Sequence, residues 1–475
     1  MKHTYIKIAL IALFTFNTVS CNKEFIDEPQ PTGIAPTVIF ASLEGMEAHI
    51  AGMVRWLRTY RLSIDSAALN SIYYARAVKG NDLINRTTWF QYDYGNAYRE
   101  PTWNRAKFTW EYLYILVDEA NVFIEGAENS SVPDADKKTL IAQAKAMRAL
   151  AYFELTLEYQ HTYSFDTSLP APPLYKEPSV NTGPLGMSTL QEMYDFIIED
   201  LTFAVNNLTE NRISKSYINT HVANGILARV YQTTNNWLGA EKAAKQAYGG
   251  GNPTNALHPN QYNNGFDDIA ESNEWIWGAI QTKEQNQGWA AAPHVISDHN
   301  ALSYYGTFVN NDFVNLFSDT DVRKLFRNHY NATNDSYRHW VTDKFAFSFS
   351  ADIPFMRTPE MILIEAEAKY HNGDTTGAHN LLFTLQANRD VNAVKSNNAG
   401  QSLLDEILVE RRKELYAEFG VEWFDAKRYR KGITRTGNHR ILSGLEPDDK
   451  KFFLKIPLVE IELNKFIDPS INTNR

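Results

Sequence analysis

The sequence predicts a mainly α-helical protein, built from tetratricopeptide-like helical pairs with long irregular loops and a few short strands. Three observations predict it. Hydrophobic residues recur at helical spacing through much of the chain. Segments 219–248 and 359–389 each read as a helix–turn–helix pair with alternating small and large residues. Loop excursions near 79–105 and 252–357 interrupt the helices, and loops this long inside a folded body are usually functional. The pairs are unevenly spaced, which excludes a simple 34-residue solenoid.

The N-terminus carries Cys21, the only cysteine in 475 residues. One cysteine can form neither an internal disulfide nor a thiolate metal site. Lys2, His3 and Lys7 precede the apolar run from Ile8 to Phe16, and small residues lead to Ser20 and Cys21. Basic start, short apolar core and small residues at the cut make a secretory signal. The run falls short of the roughly 20 apolar residues that span a bilayer. With a cysteine directly after the cut, residues 1–20 resemble a bacterial lipoprotein signal peptide, although Thr18 stands where leucine is common. That resemblance makes Cys21 the lipidated first residue and membrane tether of the mature chain. Plain secretion and an uncleaved anchor are the alternatives. Residues 21–40, with Pro29, Pro31, Gly33 and Pro36, read as anchor and extended tether. Residues 41–475 read as a single domain.

Within it, 43–78 is mostly helical. A helix follows at 106–127, with Trp110, Leu113, Val117 and Ala120 at helical spacing. In 136–160, Ile141, Ala144, Arg148, Leu155 and Tyr159 share a face. A proline-rich stretch leads to a helix at 188–208, where Ser188 and Gln191 are spaced as a capping box. After the pair at 219–248, EWIWGAIQ and KFAFSFS read as short strands. Beyond 359–389, residues 401–432 form the last major helical segment, and KFFLKIP reads as a strand ended by Pro457.

Composition narrows the function. The net charge is -10, which argues against a nucleic-acid partner, since phosphate neutralisation needs a basic surface. There is no HExxH or Cys/His cluster, no G-x-S-x-G elbow and no P-loop, so neither a metal, a cofactor nor an enzymatic activity is expected. Glu410, Glu414, Glu418 and Glu422 recur every four residues. They read as ion-pair partners or a solvated face rather than as the two carboxylates of a glycoside hydrolase. The chain is rich in rings, with 10 Trp, 25 Tyr and 26 Phe. Two clusters lie among polar residues: Trp89, Tyr92, Tyr94 and Tyr98 in one loop, and Trp289, Tyr304 and Tyr305 in another. Sugar rings stack their C–H faces on aromatics while amides, carboxylates and guanidinia take the hydroxyls. These seven rings are therefore the candidate ligand-binding residues, with Trp89 and Trp289 first; for each, packing within the loop is the competing role.

AQAKAMRALAYFELTLEY (142–159), ANGILARVYQTTNNWLGAEKAA, the Asp321-x-Arg323 pair, LIEAEAKYHNGD, ERRKELYAEFGVEWFDAKR and FLKIPLVEIELN (453–464) occur in an order that resembles the SusD/RagB family of surface lipoproteins. The resemblance spans nearly the whole chain. It implies an outer-membrane, cell-surface location, a lipid anchor, a glycan ligand held by loops in the two ring-rich regions, and a SusC-like TonB-dependent transporter as partner. It equally permits a peptide ligand; a surface glycoside hydrolase is the remaining alternative. The family usually has glycine directly after the glutamate, and arginine before W-F-D. Here Phe419 and Glu422 stand in those places, which puts a local ion pair in question.

Overall fold

The computed structural model describes residues 36–475 except 62, 87–88, 98, 286–305 and 347. The anchor, Cys21 and most of the tether lie outside them. The described chain opens with a single turn, α1 (Pro36–Ile39), inside the expected tether. The Ser42 side chain then accepts the Gly45 N–H to cap α2 (Leu43–Trp56). The predicted helix over 43–78 is broken by a turn at 57–68 before α3 (Leu69–Ala77), and β1 (Leu83–Asn85) and the one-turn α4 (Gln91–Tyr94) follow.

The body is a succession of helical hairpins. α5 (Asn104–Glu128) packs on α6 (Asp134–Tyr159). Alanines 142, 144, 146, 149 and 151 of α6 are all buried, which lets neighbouring helices approach closely. A small ladder, β2 (Pro170–Ala171) with β3 (Ser188–Thr189), leads to α7 (Leu190–Asn207) against α6. The capping box of α7 is Thr189 with Glu192, one residue later than Ser188 with Gln191, because Ser188 donates to the Pro172 carbonyl instead. α8 (Thr220–Thr233) and α9 (Trp237–Ala247) form the predicted pair. Gly225 lets Met356 pack close: a Cβ there would sit 2.1 Å from Met356 Sδ and displace that side chain.

β4 (Trp275–Ala279) is the expected strand. β5 (Thr307–Val309) pairs back with β1, and α10 (Asn311–Val314) follows it. β6 (Phe326–Arg327) pairs with β7 (Val341–Thr342). β4 pairs with β8 (Ile353–Arg357), and the described residues of KFAFSFS, expected as a strand, make none. α11 (Thr358–His371) and α12 (Thr375–Arg389) form the second predicted pair. The segment at 401–432 is two helices, α13 (Gln401–Leu415) and α14 (Val421–Arg428). Ala417 and Gly420 between them have φ of 64° and 78°, left-handed values that end an α-helix. A Cβ at 420 would lie 2.4 Å from Arg76 Cβ, so the glycine belongs there, one place later than the family spacing. KFFLKIP is not a ladder strand: Leu454 and Lys455 donate to the Glu158 and Arg99 carbonyls, and Pro457 precedes α15 (Leu458–Leu463).

The largest apolar cluster runs through α5 to α9. A second, ring-rich cluster under the loops joins Tyr74, Leu83, Phe90, Phe308, Phe313 and Tyr416. It positions the candidate site.

Candidate functional site

The two ring-rich regions meet at their roots. Leu83, Ile84 and Asn85 of β1 pair antiparallel with Val309, Phe308 and Thr307 of β5. The Arg86 N–H extends the pairing to the Gly306 carbonyl at 2.7 Å. Tyr98, Trp289, Tyr304 and Tyr305 lie outside the described residues, so the structure bears on the other three candidates.

The 89–94 stretch splits by burial. Phe90, Asp93 and Tyr94 point inward; Trp89 and Tyr92 are 38% and 47% exposed. Phe90 meets Tyr74 edge-on at 4.6 Å. Both Asp93 oxygens accept from the Arg105 guanidinium at 3.0 Å, and Arg105 also donates to the Asp65 carbonyl. Burial raises the Asp93 carboxyl above its ordinary value even though Arg105 pulls it down. α4 is therefore clamped to the first turn of α5. Tyr92 is set 5.1 Å from the half-buried Trp103 ring.

Tyr94 is a correction. It is 1% exposed, so it offers no face to a ligand. Its hydroxyl lies 2.9 Å from His439 Nδ1 and accepts the Arg440 N–H, and the Arg435 guanidinium sits 4.3 Å above its ring. His439 Nε2 is 3.0 Å from the Asn81 carbonyl, so Nε2 carries the proton and Nδ1 accepts from Tyr94. Burial pulls the His439 imidazole down to about 4, against that carbonyl bond. Tyr94 ties α4 to the 435–442 segment.

That segment was missed in the sequence. Arg440 donates to the Asn85 carbonyl, and its guanidinium lies 5.2 Å from the centre of the Tyr337 ring. Ile441 approaches Gly95, and Leu442 is exposed beside it. The surface thus presents two outward rings and a guanidinium held by the backbone, the mix that suits a flat, hydroxylated ligand.

Glu410, Glu414 and Glu418 are buried, not solvated, and their ion-pair reading holds. Glu414 accepts from Arg389 at 3.0 Å, Arg357 at 2.9 Å and Arg323 at 3.2 Å. Burial alone would raise its carboxyl, but the three guanidinia hold it well below the usual range. Glu418 binds Arg357 and Lys344, whose ammonium burial lowers to about 8. Carboxylates saturated by arginines cannot act as a hydrolytic acid and base across a substrate. Among the described residues, no three His, Cys, Asp or Glu side chains form a metal-binding group, and no helix is long and apolar enough to cross a membrane.

Residues 24–232 match the family described as starch-binding and associating with the outer membrane, and residues 273–451 match the SusD family. The chain belongs to the SusD/RagB family. A SusD-like protein of Bacteroides ovatus is 25% identical over 239 residues, covering 49% of this chain. The chain spans 40% of that relative's length. A SusD-like carbohydrate binding protein of Bacteroides vulgatus superposes with a TM-score of 0.81 at 23% identity, covering 90% of this chain and 98% of that one. A SusD superfamily protein of Bacteroides thetaiotaomicron gives 0.80 at 22%, covering 90% and 99%. At these identities the likeness establishes the SusD fold. The departure at Glu422 is accommodated locally. Glu422 accepts the Asn81 N–H at 2.6 Å and the Asp82 N–H at 3.3 Å, and lies 3.5 Å from Arg412, which also binds Asp82. Burial pushes its carboxyl up to about 7, against the pull of Arg412. Glu422 is thus itself paired, with Arg412 of α13.

Proposed function

We propose that the protein is a cell-surface lipoprotein of the outer membrane, tethered through Cys21. The mature chain, with residues 41–475 as one folded body, binds an oligosaccharide or polysaccharide and delivers it to a partner SusC-like TonB-dependent transporter. The observation that carries the binding reading is the outward pair Trp89 and Tyr92 on a loop whose inward residues are all clamped. The family description and the carbohydrate-binding neighbour support the choice of ligand. The protein binds without hydrolysing, in keeping with its glutamate cluster being saturated by arginines.

A sugar face covering about 100 Å² of ring contributes roughly 2.5 kcal/mol. Two or three such rings, after the cost of association, give micromolar to millimolar binding. That strength suits a receptor that must release its ligand. Trp289 is the further candidate ring.

The test changes Trp89, Tyr92 and Trp289 singly to alanine and measures glycan affinity by calorimetry beside melting temperature. Lost affinity with unchanged melting supports the platform. Melting lowered by several degrees with affinity intact makes that ring structural. For the anchor, Cys21→Ser is expected to release the protein from membranes or leave it unprocessed. A variant that still fractionates with the outer membrane in high salt, without its partner, defeats the tether.

A further inference from the structure

A cleft of about 530 Å³ runs along the outer face of α5, between the loop around Tyr175 and α15. Its floor is a run of rings. Trp110 and Tyr114 have centroids 4.9 Å apart, and Tyr114 and Tyr175 are 5.8 Å apart. The rings are fixed from behind. Trp110 meets Tyr159 edge-on, the Tyr114 hydroxyl donates to the Pro173 carbonyl, and the Tyr175 hydroxyl accepts the Leu185 N–H. Asn121, at the end of the run, donates to the Tyr175 and Glu177 carbonyls and accepts from Arg148. The polar groups of the floor are thus engaged by the protein itself, which suits an apolar side chain better than a hydroxyl-rich sugar.

The rim is acidic, with Asp118, Glu177 and Glu460 against Lys107, and Glu111 already paired with Arg61. Beyond it, α15 contains no buried residue. Leu463 is 79% exposed, and Val459, Leu185 and Phe466 are exposed around it. Asn464 donates to the Leu185 carbonyl at 2.8 Å, so these residues lie side by side. An exposed apolar surface continuous with a preformed cleft marks an interaction site.

We propose that this cleft docks a segment of a partner protein. The segment inserts one apolar side chain over Trp110, Tyr114 and Tyr175, and flanks it with Lys or Arg residues that face Glu177 and Glu460. The proposal is independent of the carbohydrate reading, since it uses neither Trp89 nor Tyr92.

The probes are acetyl-Lys-Trp-Lys-amide, acetyl-Glu-Trp-Glu-amide and maltohexaose, titrated into the intact protein by calorimetry. The basic peptide is expected to bind at least tenfold tighter than the acidic one. Glu460→Lys should erase most of that preference, and Tyr175→Ala should weaken the basic peptide by about tenfold. Should Tyr175→Ala lower the melting temperature, Val459→Trp, which crowds the mouth from an exposed position, replaces it and should block the peptide. Equal affinity for the two peptides overturns the proposal. So does peptide binding unchanged in Glu460→Lys and Val459→Trp, or maltohexaose binding that Val459→Trp abolishes while the peptide is unaffected.

Discussion

Replacing Glu414 by glutamine tests the buried ion cluster that holds α13 to the rest of the protein. Glu414 is the shared acceptor of Arg323, Arg357 and Arg389, with four contacts between 2.9 and 3.2 Å. Those cations come from the 321–323 turn, β8 and α12, so the carboxylate joins three distant segments. Glutamine keeps the volume but removes the charge and turns an N–H₂ group toward a guanidinium. A hydrogen bond to a charged group contributes about 1.5–3 kcal/mol, and breaking a buried ion pair costs about 3–5 kcal/mol. A loss of about 4 kcal/mol is expected. At about 2.1 cal/mol/K per residue, that lowers the melting temperature of a chain of 475 residues by about 4 °C. The assay is guanidinium unfolding beside calorimetry, with Asp343→Asn as control. Asp343 pairs with Arg327 on the surface, and that change should cost under about 1 kcal/mol. The Glu414 carboxyl titrates well below the usual range, so its contribution is present above the ordinary carboxylate pKa and is lost as pH falls through the depressed native value. The gap between wild type and variant should therefore stay constant from neutral pH to about 4.5 and narrow only in stronger acid. A loss no larger than the control's would refute the reasoning.

Three further outcomes are expected. Asp93→Asn leaves Arg105 buried against a neutral amide; amide exchange over 89–97 should accelerate and glycan affinity should fall, and unchanged exchange would show that the clamp is dispensable. His439 has a native value of about 4 against an ordinary 6.5. The unfolded chain therefore binds a proton that the native one refuses, and this contribution, on the order of 3 kcal/mol, is lost as pH falls from 6.5 to 4; His439→Gln should flatten that part of the urea-unfolding profile. Glu422 has the opposite sign, because its native value is raised to about 7 from 4.5 and the native state keeps its proton longer. Glu422→Gln should thus gain stability relative to wild type as pH rises from 4.5 to 7, and a constant difference between the two across that range would show that Glu422 is not raised.

The hairpins were legible because each buries a face whose residues recur at helical spacing within one short window. The regions that failed are those where distant chain decides. KFAFSFS has good strand composition, but β4 takes β8 as its partner. The 401–432 helix breaks because Ala417 and Gly420 adopt left-handed backbone, and Gly420 does so against Arg76, over 340 positions away. At the site, the sequence pointed to the ring-rich loop but could not tell inward from outward rings. Tyr92 and Tyr94 look alike in the text, and only the contacts with His439 and Arg435 separate them. The 435–442 segment carried no recognisable pattern.

The split of 89–94 into inward and outward residues divides labour within one short stretch. Phe90, Asp93 and Tyr94 are bound to Tyr74, Arg105 and His439, while Trp89, Gln91 and Tyr92 face out. Positions 89 and 91 can therefore be exchanged without disturbing the joinery beneath them, whereas a change at Tyr92 also removes its ring contact with Trp103. A library restricted to positions 89 and 91 would vary the outward surface of this stretch on an unchanged frame.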